Sequence, residues 1–175
     1  MPPTTRVLFL SPGNSARSII AESVLGRLGV GRFVAASAGI QPRGYVQPRV
    51  LAILAALGYP TADLHSKSWR VFATSGAPVF HHLISLCDEE SWPHEHCQAA
   101  RSREVETPWR KPDVSLCRQA LRGDCSAWPG RPTTDVWRIA DPMAPHPPGA
   151  LMDMILAETV RDLRERIETL IDNSP

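Results

Sequence analysis

The chain has 175 residues, a length that suits one domain with a real hydrophobic core, and its 43% hydrophobic and 21% charged residues exclude a disordered polypeptide. Nineteen basic against eighteen acidic residues leave a net charge of +1, which excludes the strong overall positive field of a dedicated nucleic-acid binder. No apolar run approaches the ~18 residues of a membrane span, and the four apolar residues Val7 to Leu10 are too few for a signal-peptide core, so a cytoplasmic protein is expected.

In chain order, Arg6 to Leu10 is a short, nearly continuous apolar run and predicts a strand buried on both faces. Ser11-Pro12-Gly13-Asn14-Ser15 follows, every residue a turn former. Ala16 to Gly29 reads as a helix, with Ile19, Ile20, Val24, Leu25 and Leu28 at spacings of three and four and Gly29 as its stop. Phe33 to Ser37 predicts a second strand. Pro48 to Leu57 predicts a helix with proline in its first turn and Gly58 just beyond. Ser66-Lys67-Ser68-Trp69 is placed to cap a short helix near residues 69–73. Leu83 to Cys87 predicts a third strand and Val136 to Ile139 a fourth. Gly149 to Leu170 is the clearest helix, with Leu151, Ile155, Val160, Leu163, Ile167 and Leu170 expected to face inward. Strands alternating with helices imply an α/β fold: a single domain over residues 1–175, with a short four-stranded parallel sheet flanked by helices. A polar, proline- and tryptophan-bearing stretch at about residues 88–124 breaks the rhythm and is expected to be an irregular insertion before the last strand.

The segment Ser11 to Ser18 carries the chemistry. A strand delivers the chain into a loop of small residues that opens a helix, so successive N–H groups can surround one anion, and the helix N-terminus adds about half a positive charge. Arg17 lies in the first turn, where a guanidinium can grip a tetrahedral oxyanion with two parallel hydrogen bonds. Gly13 allows a close backbone approach. Gly13, Asn14, Ser15, Ala16, Arg17 and Ser18 are therefore the candidate oxyanion-binding residues. The alternative is an ordinary strand–helix turn with a surface arginine. The loop ends in neither Gly-Lys-Ser nor Gly-Lys-Thr and lacks Gly-x-Gly-x-x-Gly, so no nucleotide or organic cofactor is implied.

Val7-Leu8-Phe9-Leu10, Gly13-Asn14-Ser15-Ala16-Arg17-Ser18 and Ala21-Glu22 together resemble the start of the low-molecular-weight protein tyrosine phosphatase family, above all its arsenate reductase branch. Ser37-Ala38-Gly39, Ser66-Lys67-Ser68-Trp69, Cys125 with Trp128-Pro129-Gly130, Trp137 and Asp141-Pro142 follow in the order the family shows. The resemblance implies a cysteine nucleophile at the head of a Cys-x5-Arg loop, an aspartate in an Asp-Pro loop as general acid, and in the reductase branch two further cysteines that relay a disulfide. By that match Asp141 is the candidate acid; on its own it reads as a turn residue.

The nucleophile position holds Ser11. A cysteine in such a cradle is acidified by the helix N-terminus and the arginine and reacts as a thiolate. A serine hydroxyl starts several units higher and has no base beside it in the sequence pattern, and its oxygen cannot form the disulfide that arsenate reduction needs. Pro12 also removes one N–H from the donor set. For the relay the resemblance offers Cys87, at the end of the third strand, and Cys117 with Cys125, spaced Cys-x7-Cys. Cys87, His94, His96, Cys97, Cys117 and Cys125 are soft or borderline ligands for a metal or for trivalent arsenic, yet no Cys-x2-Cys pair exists and the spacings match no standard zinc module, so no metal is assigned. Inert thiols are the third reading.

Three functions follow. One is a binding protein that holds phosphate or arsenate with little or no turnover. Another is an arsenate reductase or phosphatase whose cysteine was replaced by serine to trap ligand. The last is a relic cradle on a protein whose middle segment serves as a binding arm. The partners expected are the oxyanion itself and a phosphoprotein or a thiol-redox protein, with neither nucleic acid nor membrane.

Overall fold

The computed structural model describes residues 4–72, 74, 76–87, 128, 130–146 and 151–174. Within them the chain forms β1 (Thr5–Ser11), α1 (Arg17–Leu28), β2 (Phe33–Gly39), α2 (Pro48–Ala56), a 3-10 turn (Trp69–Phe72), β3 (His82–Ser85), β4 (Thr133–Val136) and α3 (Met152–Asp172). All strand pairings are parallel, in the order β2-β1-β3-β4. Successive side chains of β1 alternate between two cores. Val7 and Phe9 join Ile84, Leu86 and the apolar stripes of α1, α2 and α3, whereas Leu8 and Leu10 join Ala38, Phe80, Leu83 and Trp128 on the other face. Both faces of β1 are thus covered, as its unbroken apolar run requires.

The chain order reverses at β1: β2 lies on one side and β3 on the other. In open parallel sheets the crevice beyond the carboxyl ends of the strands at such a point is where ligands bind, and here the loop leaving β1 occupies it. No helix of the described residues is long and apolar enough to cross a membrane.

Two sequence expectations need correction. The last strand runs from Thr133 to Val136, not from Val136 to Ile139, and it is an exposed edge rather than a buried strand. The apolar signal that marked it, Trp137 and Ile139, is buried just past the strand in a loop that closes the core. In α3, Leu156 enters the core in place of Ile155, while Leu151 stays 65% exposed at the helix start. The expected insertion at about residues 88–124 lies outside the described residues.

Candidate functional site

The loop from Ser11 to Arg17 is pinned from outside by its carbonyls. The N–H groups of Ile40, Gln41, Arg43 and Gln47 donate to the carbonyls of Ser11, Pro12, Gly13 and Ser15 at 3.1, 2.9, 3.0 and 3.0 Å. The loop's own N–H groups are treated differently. Asn14 N–H donates to Ser11 Oγ at 3.1 Å. Those of Gly13, Ser15, Ala16, Arg17 and Ser18 find no acceptor among the described residues. Ala16 is the N-cap of α1 and has no side chain with which to satisfy the first turn. Backbone donors in a folded protein rarely go unmet. Five in one tight, largely buried loop at a helix start form the kind of donor array that suits an anion.

Arg17 supplies the full charge and is only 6% exposed. Its Nη1 donates to the carbonyls of Leu86, at 2.9 Å, and Ile139, at 3.0 Å. These are the exits of β3 and β4, so one guanidinium nitrogen ties three strand ends together. Its Nη2 faces Asp141 Oδ2 at 3.5 Å, and its Nε–H has no acceptor among the described residues. One edge of the fork is thereby committed to structure, which leaves Nε and part of Nη2 for a ligand. Asp141 is oriented by the Met143 N–H on its Oδ1 at 3.0 Å, and His146 Nε2–H donates to the Pro142 carbonyl at 3.0 Å.

Asn14 organises the loop from within. Its φ of +43° places it in the left-handed region, which asparagine tolerates better than most residues. Its Nδ2 donates to Ser18 Oγ at 2.9 Å and to Ser37 Oγ at 2.8 Å, and its Oδ1 accepts the Lys67 N–H at 2.7 Å. Gly39 makes this possible, because a Cβ there would come within 2.9 Å of the Asn14 Cβ. Ser37 in turn donates to Glu22, whose carboxylate also faces Lys67 Nζ at 3.5 Å. Burial pushes the Glu22 carboxyl above its ordinary 4.5, and Ser37 and Lys67 pull it part of the way back.

At the head of the loop, Ser11 Oγ lies 2.7 Å from Ser18 Oγ. When Ser18 donates, Ser11 Oγ receives two hydrogen bonds and its own proton is left for the cradle. Ser11 is then a neutral donor. Its hydrogen-bond partners are a hydroxyl and a backbone N–H; no histidine or carboxylate is among them to take its proton.

The structure therefore gathers Ser11, Gly13, Asn14, Ser15, Ala16, Arg17, Ser18 and Asp141 at one crevice. The Ser15 hydroxyl makes no hydrogen bond among the described residues. Cys87 is buried one residue beyond Leu86, packed with Ile40 and against Trp69. Cys117 and Cys125 lie outside the described residues, as do His94, His96 and Cys97. Among the described residues, no three His, Cys, Asp or Glu side chains gather into a metal-binding group. The support formed by Ser37, Glu22 and Lys67 was visible in the sequence only as motif letters. Nothing in their spacing announces that Asn14 joins them.

A family model for low molecular weight phosphotyrosine protein phosphatases matches residues 6–106. No curated protein matches the chain. Among solved structures, an arsenate reductase in the phosphate binding state is similar at 21% identity and a TM-score of 0.59, over 97% of this chain and 98% of that one. The arsenate reductase from Archaeoglobus fulgidus DSM 4304 is similar at 20% identity and 0.58, over 95% and 99%. The YwlE arginine phosphatase from Geobacillus stearothermophilus is similar at 16% and 0.54, over 96% and 91%. At these identities the likeness shows a shared fold.

Proposed function

Since the chain belongs to the low molecular weight phosphotyrosine protein phosphatase family, we propose that its Ser11–Ser18 loop binds a tetrahedral oxyanion, phosphate or arsenate, with little or no turnover. The observation that carries this reading is the set of five loop N–H groups without an acceptor, beside a buried Arg17 whose Nε points to none. Gly13, Ser15, Ala16, Arg17 and Ser18 supply backbone donors, Arg17 the charge, Asn14 the loop conformation and Ser11 a further neutral donor. Asp141, opposite Arg17, holds the general-acid position. An arsenate reductase in a phosphate binding state shares the fold, which fits an anion of this shape.

The turnover deficit is a matter of proton affinity. A thiolate at position 11 would attack phosphorus, the ester P–O bond would break, and Asp141 would pass its proton to the leaving oxygen. A serine with no base at hand keeps its proton and stays a poor nucleophile. A relay through Cys87, Cys117 and Cys125 would lack its first sulfur, so a thiol-redox partner belongs only to the alternative, a reductase or phosphatase whose cysteine was replaced to trap ligand. A phosphoprotein is the partner class that the binding reading favours, and the cytoplasm the compartment.

The deciding experiment is hydrolysis of p-nitrophenyl phosphate by this chain and by its Ser11→Cys variant, with calorimetric titration of phosphate alongside. Turnover by the variant alone, with phosphate bound by both, is the expected result. If the serine protein hydrolyses the ester at the variant's rate, the inactive-cradle reading is wrong. If neither binds phosphate, the anion site itself is wrong.

A further inference from the structure

The oxyanion loop opens α1; at the other end of that helix lies an open cavity of about 320 Å³, walled by the end of α1, the end of α2 and the middle of α3. That is the size of a small-molecule site. Its floor is apolar. Leu57 closes α2, and Gly58, at a φ of +74°, turns the chain so that Tyr59 N–H donates to the Leu54 carbonyl at 2.9 Å and the Tyr59 side chain is buried. From α3, Ala157 and Val160 complete the floor, and Arg161 and Arg164 follow on the same helix face at spacings of three and four.

Three guanidinium groups, those of Arg27, Arg161 and Arg164, stand around this floor, and no carboxylate is among the walls. Each is held differently. Arg27 Nη1 donates to the Leu57 carbonyl at 2.9 Å, and its guanidinium carbon lies 5.1 Å from the centre of the Tyr59 ring. Arg164 gives its Nε–H to Glu168 at 2.7 Å and borders Tyr59. Arg161 meets only Asp162, at 3.9 Å from its Nε, so both of its Nη groups are without an acceptor among the described residues. Two of the cations are therefore positioned by the fold, and the third keeps its terminal donors.

We propose that this cavity binds a small organic anion built of an apolar body and one carboxylate, an aryl carboxylate in its simplest form, independently of the oxyanion loop. An apolar floor alone would hold an acid and its amide equally; a rim of three arginines without a carboxylate among them favours the acid. The apolar body covers Leu57 and Ala157, which are otherwise exposed. The carboxylate pairs with the Arg161 fork, whose two Nη groups match its two oxygens. Ion pairs at such a rim are weakened by water, so affinity depends on both parts of the ligand together.

The test is a titration of the isotope-labelled full chain in phosphate buffer, followed by amide chemical shifts, with 2-naphthoate, 2-naphthamide and acetate as probes. Naphthoate is expected to shift the amides of Leu57, Tyr59, Ala157 and Arg161 saturably, with a dissociation constant at or below about 1 mM, and naphthamide to bind about tenfold more weakly. Acetate should give no saturable shift. Arg161→Ala should bring naphthoate down to the level of naphthamide and leave naphthamide unchanged, whereas Ala157→Leu, which fills the floor, should abolish both. Equal binding of acid and amide, acetate binding as tight as that of naphthoate, or an Arg161→Ala variant that keeps the preference overturns the proposal. So do the lack of any saturable shift and shifts confined to residues 11–18, which would put the acid in the oxyanion loop instead. Arg161 is exposed on α3, so its variant is expected to melt with wild type, and it carries the test even if Ala157→Leu fails to fold.

Discussion

Two loops meet at the crevice, and they are built to different standards. The loop after β1 leaves a seven-residue strand that is paired along its whole length with β2 and over four residues with β3. Four backbone bonds hold it outside and the Asn14 side chain holds it inside. The loop that carries Asp141 leaves β4, a four-residue edge strand with every residue exposed. Its ties include Trp137 N–H on the Ser85 carbonyl, the buried Trp137 and Ile139, Arg166 on the Arg138 carbonyl, and the two contacts of Arg17 with Ile139 and Asp141. The half proposed to bind an anion is held from both sides; the half proposed to deliver a proton is anchored by Trp137 and Ile139 and shares Arg17 with the first.

The comparison breaks most visibly at Asn14. Asn14→Ala removes three side-chain hydrogen bonds, two of them buried, and leaves alanine at a left-handed φ. The expected cost is about 3 kcal/mol, a fall in melting midpoint of roughly 6–12 °C, together with loss of phosphate binding. A variant that melts within a degree or two of wild type would show that the loop is held by its backbone stitching alone.

Asp141→Asn probes the weaker half. Asp141 Oδ2 competes with any anion for Arg17 Nη2, and its charge repels that anion. Phosphate is expected to bind the asparagine variant three- to tenfold more tightly, whereas in the Ser11→Cys background the same change slows ester hydrolysis. Weaker phosphate binding would mean that the carboxylate mainly holds Arg17 in place, and the two halves would then be one unit.

Much of this was legible in the sequence for a physical reason. β1, the small-residue loop and α1 are contiguous, so strand periodicity, turn chemistry and helix start all speak within 25 residues, and the structure shows the expected strand, loop and helix there. β4 was not legible, because Thr133-Thr134-Asp135-Val136 has no buried face to impose alternation, and the apolar signal next to it belongs to a loop. The Asn14–Ser37–Glu22 support was hidden for another reason: it joins residues 23 and 15 positions apart through polar side chains, which follow no period.

The smallest effect sits at the far end of the loop's support. Glu22 ends the chain of hydrogen bonds that runs from Ser11 through Ser18, Asn14 and Ser37, and burial raises its carboxyl above 4.5. A carboxyl whose folded value is raised holds its proton more tightly in the folded state than in the unfolded one. Its contribution to stability is complete below 4.5 and declines as pH climbs through the raised value. Glu22→Gln keeps a hydrogen-bonding side chain toward Ser37 and removes the titration. Urea-unfolding midpoints measured between pH 4 and about pH 7 should therefore fall more steeply for wild type than for the variant. Phosphate affinity should scarcely change, because Ser37 and Asn14 stand between Glu22 and the hydroxyls that line the nest. Parallel slopes would assign the decline to other groups. A large loss of phosphate affinity would mean that the charge at Glu22 is felt through the chain of hydroxyls, and that the loop after β1 is less insulated from its support than its bonding implies.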